Sequence, residues 1–437
     1  MRLLNSLLCS LLLILICMAV TGENTLPDNI SHQTDFSLEQ YNDLNTEPAQ
    51  IVADLNNRFA SDLYLNLSHS PDYTGKNIFF SPLSISSAGA LTYEGARGKT
   101  ADEIRAVFHF PENSSILRKG YAGVNPGSPG PTVYSANALW AEKTHQFLPE
   151  YIALSRDYYS ANVTNLDFVN KSGESRDVIN GWVAEKTNNK IRDLVSPASV
   201  NSATDLVITN AMYFNDSWLS GFDKGQEQEF RVEPGKTVPI QMMEKTGSDQ
   251  KFMYTDTGEL QALDIPYQSG NGTRLSMLVL LPKEDNITPA EKVLRTGNLS
   301  SVTGALRPTD VIIYFPKFRL ETEYQLPDLL KKMGMNTAFT PDADFSGMDG
   351  AQDLFINDFI HKAFVDVNEQ GTEASAATVV SMNEMAIPDR NKESPVVFKA
   401  DHPFIFMIRD DKSGAILFMG RVMNPAGAPL ENLTSDA

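Results

Sequence analysis

Apolar residues recur at four-residue intervals at Ile51, Leu55, Phe59 and Leu63, which predicts a helix with one buried face beginning at about Ala49. Asn77–Phe108 then opens with a short apolar strand. It continues through Ser81 and Pro82, a helix cap followed by a first-turn proline. Further on, Thr100 and Glu103 have the spacing of a capping box. Residues 111–131 are punctuated by Gly and Pro and predict a loop. Beyond it, Thr132–Lys143 predicts a strand and Leu148–Tyr159 a short helix. Ser175–Val195 predicts a longer helix packing through Val178, Trp182, Val183, Ile191 and Leu194.

Strand patterns dominate the rest. Asp205–Phe214 is a continuous apolar run, as expected of a strand covered on both faces. Leu260–Tyr267, Arg274–Lys283 and Val311–Glu321 follow, interrupted by the helical Leu326–Met335. At the C-terminus three apolar strands lie in Pro395–Ala400, Pro403–Asp410 and Ala415–Pro425, the last two a hairpin through Asp410–Gly414. No internal repeat or composition shift marks a boundary. One mixed α+β domain spanning 49–426 is expected, with a tail at 427–437.

The segment Glu369–Met385 stands apart. It follows the strand-like His361–Asn368 and consists mainly of small residues and threonine, with one glycine and no proline before Pro388. A surface loop normally carries more turn chemistry. This one is written as a strand without a sheet, although a small-residue linker has a similar composition.

Residues 1–22 have one arginine, a long apolar run and then small residues, the pattern of a secretory signal cleaved after Gly22; a retained anchor is the alternative. The polar 23–48 predicts a flexible arm. Both cysteines, Cys9 and Cys17, fall inside the signal. The mature chain therefore has no cysteine for disulfides, nucleophilic thiols or thiolate metal sites. A net charge of −19 weighs against nucleic acid and heparin-like partners. No GxSxG, HExxH, P-loop or dinucleotide fingerprint is present, and the six histidines are scattered, so neither enzyme chemistry, a metal nor a cofactor is expected. His361 is expected to be a hydrogen-bonded structural histidine.

From about Ala49 to Pro425 the chain resembles the serpin family. The resemblance rests on Asn77–Leu91, Asn180–Ile191, Ile208–Trp218, Phe315–Phe318, Ala343–Met348, His361–Thr378, Ala400–Ile408 and Leu417–Pro425, in the family's order. It implies a fold of three β-sheets with about eight or nine helices, a monomer, and an exposed reactive loop at about 369–395. It also implies inhibition of a serine protease as a suicide substrate, in a covalent one-to-one complex; secretion is expected from the signal pattern of residues 1–22. The loop is cleaved, the protease is acylated through its serine, and the loop inserts as a strand of the main sheet. A non-inhibitory carrier, storage protein or chaperone is the alternative.

The hinge matching the family pattern is Glu369, Gly371, Thr372, Glu373, Ala374, Ser375, Ala376, Ala377 and Thr378. Its small side chains suit insertion between strands, with Thr372, Ala374, Ala376 and Thr378 on one face. By the same resemblance Ser81, Asn210 and His361 form the shutter beneath the parting strands. Trp218, Lys317 and Glu369 form the breach at the top, with a Lys317–Glu369 ion pair. Counting about sixteen residues from Glu369 puts the bait bond at Met385–Ala386, which suits elastase-like or chymotrypsin-like proteases. Counting back from Pro403 points instead to Arg390–Asn391 and a trypsin-like target. The family's fourth helix, which binds heparin in some members, falls on the Gly/Pro-rich 111–131, where basic residues are few.

Overall fold

The four-residue period at the start of the domain forms the helix it predicts. Pro48–Ser68 is helical, with Ile51, Leu55, Phe59 and Leu63 buried. Pro48, placed in the polar arm by its sequence, is the first helical residue, where its missing N–H costs nothing. These elements belong to a computed structural model that describes residues 46–124, 133–246, 251–268, 274–372 and 394–427. The described residues fall in one compact unit, Asn45–Ala437. Residues 1–45, with the expected signal and most of the arm, lie outside the described residues.

Ser81 caps the helix Pro82–Gly95 by accepting a hydrogen bond from the Ser84 N–H. The capping box at Thr100 and Glu103 does not form. The helix Gly98–Phe108 begins before Thr100, whose hydroxyl accepts from the Asp344 N–H. Glu103 instead accepts the N–H groups of Asn336 and Thr337, a tertiary tie where a local one was expected.

Part of the expected loop at 111–131 is helix, Ser114–Val124. Gly120 does not break it; a Cβ there would sit 2.2 Å from Val52, so glycine serves close helix packing. The helix expected at 175–195 spans Phe168–Lys186. Val178 lies on its exposed side, while Val183 packs inward, as do Ile191 and Leu194 beyond the helix end.

The strands are β1 (Ile78–Phe80), β2 (Val133–Glu142), β3 (Asn162–Leu166), β4 (Leu206–Phe214), β5 (Asp216–Ser217) and β6 (Asp223–Glu233). They continue with β7 (Lys236–Lys245), β8 (Lys251–Asp256), β9 (Leu260–Pro266), β10 (Leu275–Pro282), β11 (Arg307–Pro316) and β12 (Phe318–Gln325). The last are β13 (Ile356–Asn368), β14 (Gly371–Thr372), β15 (Val396–Lys399), β16 (Phe404–Asp410) and β17 (Ile416–Val422). Lys317 divides the expected Val311–Glu321 strand in two. The long antiparallel pair β6 and β7, rich in charge, has no apolar run to announce it.

The main sheet has the order β3-β2-β4-β13-β14-β5, with β12 on the other edge of β13. The remaining strands form a second ladder, β1-β17-β16-β10-β9-β8, and a third group, β6, β7, β11 and β15. These two groups join where Arg307–Asp310 of β11 pairs with β8. The three-sheet expectation therefore holds with two sheets fused through β11, and ten α-helices occur among the described residues. Every residue of β4 is buried, because the large core covers one face and a second cluster covers the other. That second cluster, with Trp140, Ile179, Val183, Val207, Ile360 and Phe364, lies beneath Phe168–Lys186.

Candidate functional site

The centre of the main sheet is a parallel seam. β4 and β13 pair directly from Leu206 with Ile356 to Tyr213 with Phe364. At its middle, Asn210 and His361 are register partners, and Asn137 of β2 is the partner of Asn210 on the other side. The backbone N–H of Ser81 donates to His361 Nε2 at 3.0 Å. That nitrogen is therefore an acceptor and the ring proton sits on Nδ1, facing the Asn210 amide oxygen. The Asn210 amide nitrogen donates in turn to Ser84 Oγ at 2.6 Å and Asn137 Oδ1 at 2.7 Å. Burial holds the imidazole down at about 3, only partly opposed by the bond to Asn210, so it is neutral. Ser81, Asn210 and His361 are thus one network across the seam. Ser84 and Asn137 belong to it too, and nothing in their spacing distinguished them from other buried polar residues.

At the upper end of the seam the chain turns back on itself. Val367 and Asn368 of β13 pair with Thr372 and Gly371 of β14, and β14 pairs on its other side with β5. The first residues of the small-residue stretch already occupy a strand position. Thr372 is buried, its hydroxyl 2.9 Å from the Tyr267 hydroxyl, and Tyr267 stacks on Trp218 at 4.4 Å. Trp218 Nε1 donates to the Asn368 carbonyl at 3.0 Å, and its backbone N–H to the Gln370 carbonyl at 2.9 Å. Lys317 Nζ lies 3.0 Å from Glu369 Oε2, so the expected ion pair is formed. Gly371, at φ +153°, admits no side chain, since a Cβ would lie 2.1 Å from the Asp216 carbonyl oxygen. Tyr267 was not legible beforehand, because its role depends on β9 ending beside Trp218. Of the hinge, Glu373 to Thr378 lie outside the described residues, as do Met385, Ala386, Arg390 and Asn391.

The sheet is closed along β4 and β13 and opened at its top by its own following segment, so the loop expected to be exposed from about 369 has Gly371 and Thr372 already paired in the sheet. The family model described as serpin, serine protease inhibitor, matches residues 54–425. The chain belongs to the serpin family. An uncharacterized serpin-like protein of Thermococcus kodakarensis is 40% identical over 417 residues, 92% of this chain and 94% of that protein. The leukocyte elastase inhibitor of Bos taurus is 38% identical over 390 residues, 85% of this serpin and 98% of the bovine protein. Among solved structures, Serpin48 of Tenebrio molitor superposes with a TM-score of 0.75 at 29% identity, covering 86% of this chain and 98% of that one. Uncleaved ovalbumin superposes at 0.76 and 29%, covering 86% and 100%.

The basic side chains in the helix Ser114–Val124 include Arg118, which is paired with Glu94 through two 2.8 Å bonds. No described helix of this serpin is long and apolar enough to cross a membrane. One group of potential metal ligands occurs among the described residues, His145, Asp349 and Asp353, at the lower end of the seam.

Proposed function

We propose that this serpin is a secreted suicide inhibitor of a serine protease. The observation that carries this reading is β14: two residues of the hinge lie in register between β13 and β5, at the mouth of a seam that is closed below them. The protease serine oxygen attacks the carbonyl carbon of Met385. The C–N bond to Ala386 breaks, the new amine takes a proton, and an ester joins inhibitor to enzyme. The freed hinge then extends β14 downward, exchanging the β4–β13 ladder for two ladders with the new strand. About a dozen inserted residues at about 1 kcal/mol net per hydrogen bond supply a driving force like the stability of a whole domain. Such insertion is an established example of strand addition in this family.

Incubation with elastase-like, chymotrypsin-like and trypsin-like proteases should give an SDS-resistant one-to-one complex with at least one. Mass spectrometry of the released peptide should begin at Ala386; a peptide beginning at Asn391 would mean a trypsin-like target. If each protease cuts the chain and remains active, the inhibitory reading fails and a carrier or storage role takes its place. Export is tested separately: the mature chain should begin at Glu23.

A further inference from the structure

Three segments converge at the end of the main sheet opposite Thr372. β2 ends at Glu142 and the following turn carries His145; Asp205 precedes β4; Asp349 and Asp353 lie on the segment leading into β13. His145 Nδ1 is 3.2 Å from Asp349 Oδ2 and 3.6 Å from Asp353 Oδ1. On the opposite edge of the ring, Nε2 faces Asp205 Oδ1 at 3.8 Å. His145 and Asp205 belong to the β2–β4 side of the seam and the two other carboxylates to the β13 side, so the group straddles the line along which the sheet would open.

The charges there are not balanced. Among the described residues no lysine or arginine pairs with Asp205, Asp349 or Asp353, and the Asp349 side chain is 3% exposed. Glu142 is also buried and its Oε1 has no hydrogen-bond partner. One imidazole nitrogen and two carboxylates within 4.8 Å of one another, with Asp353 open to solvent, match three protein ligands plus water. Asp205 stands where a carboxylate orients a metal-binding imidazole through its other nitrogen.

We propose that His145, Asp349 and Asp353 bind one divalent ion of the Zn2+ or Mn2+ class, oriented by Asp205, and that the ion clamps β4 to β13 at the base of the seam. Mixed nitrogen and carboxylate donors favour such ions over Mg2+. The site does not depend on the protease-inhibitor reading. Titration calorimetry of the untagged chain with zinc chloride and with manganese chloride should show one saturable ion per chain for at least one of them. H145Q and D349N should each weaken it more than about tenfold, and D205N by about tenfold. D353N alters an exposed side chain, so it tests the site without risk to folding; it too should weaken binding. The bound ion should raise the melting temperature of the parent chain and leave that of D353N unchanged. Absence of saturable binding below the millimolar range would overturn the site, as would parental affinity in H145Q and D353N. Binding without a rise in melting temperature would overturn the clamp.

Discussion

His361 carries its consequence in its protonation. The unfolded chain takes up a proton on this ring near pH 6.5, whereas the native ring, held at about 3 by burial, does not. Between those values the unfolded state binds more protons, so stability falls as the pH is lowered through that window, by about 1.4 kcal/mol per unit from this group. Urea melts at several pH values should show that slope, and H361N should lack this share of it. Thr372 offers a second test at the same scale. Its hydroxyl meets Tyr267 in a fully buried site across from Asp216, its register partner, and forcing a long charged side chain into the place of a small one there costs several kcal/mol. T372R should therefore be cleaved by the target protease without forming the SDS-resistant complex; a complex formed at the parent yield would count against insertion. His361 could be picked out from its motif. Asn137 and Ser84 could not, because what joins them to Asn210 is the meeting of two strands with the helix Pro82–Gly95.

At the scale of elements, β14 is held from both sides by short ladders and from above by the Lys317–Glu369 pair. Lys317 is about one third exposed, so that pair contributes on the order of 1 kcal/mol or less. The steric fit at Gly371 matters more, since the Asp216 backbone cannot yield to a Cβ. G371V should expel β14 from its place between β13 and β5 while leaving the seam below intact. Hydrogen exchange should then report lost protection at Thr372 and retained protection at Asn210. The same local competition explains two misread elements. Thr100 and Glu103 are spaced for a cap, yet the chain from Asp344 to Thr337 offers them other partners. Gly120 looks like a breaker, and helix packing against Val52 makes it a requirement instead.

Across the whole molecule, the main sheet is already closed by direct pairing of β4 with β13. If cleavage releases the hinge, each backbone group along β4 and β13 keeps a partner and the inserted strand satisfies its own. Cleavage within 373–393 should thus raise the melting temperature by more than about 10 °C. Scanning calorimetry before and after limited proteolysis measures this directly, and an unchanged midpoint would support a non-inhibitory serpin.

Period and composition alone determined the helix at Pro48–Ser68, the doubly buried β4 and the C-terminal hairpin, because each reflects the local environment of consecutive side chains. Family motifs added Ser81, Asn210, His361, Trp218, Lys317 and Glu369 by name. Tertiary structure decided what depends on distant segments meeting. It made a parallel seam of β4 and β13, placed Tyr267 against Thr372, set Asn137 beside Asn210 and drew His145 toward Asp349. Hydrogen bonds and charges act over a few ångströms, and the separations of these partners along the chain leave no trace in any local pattern.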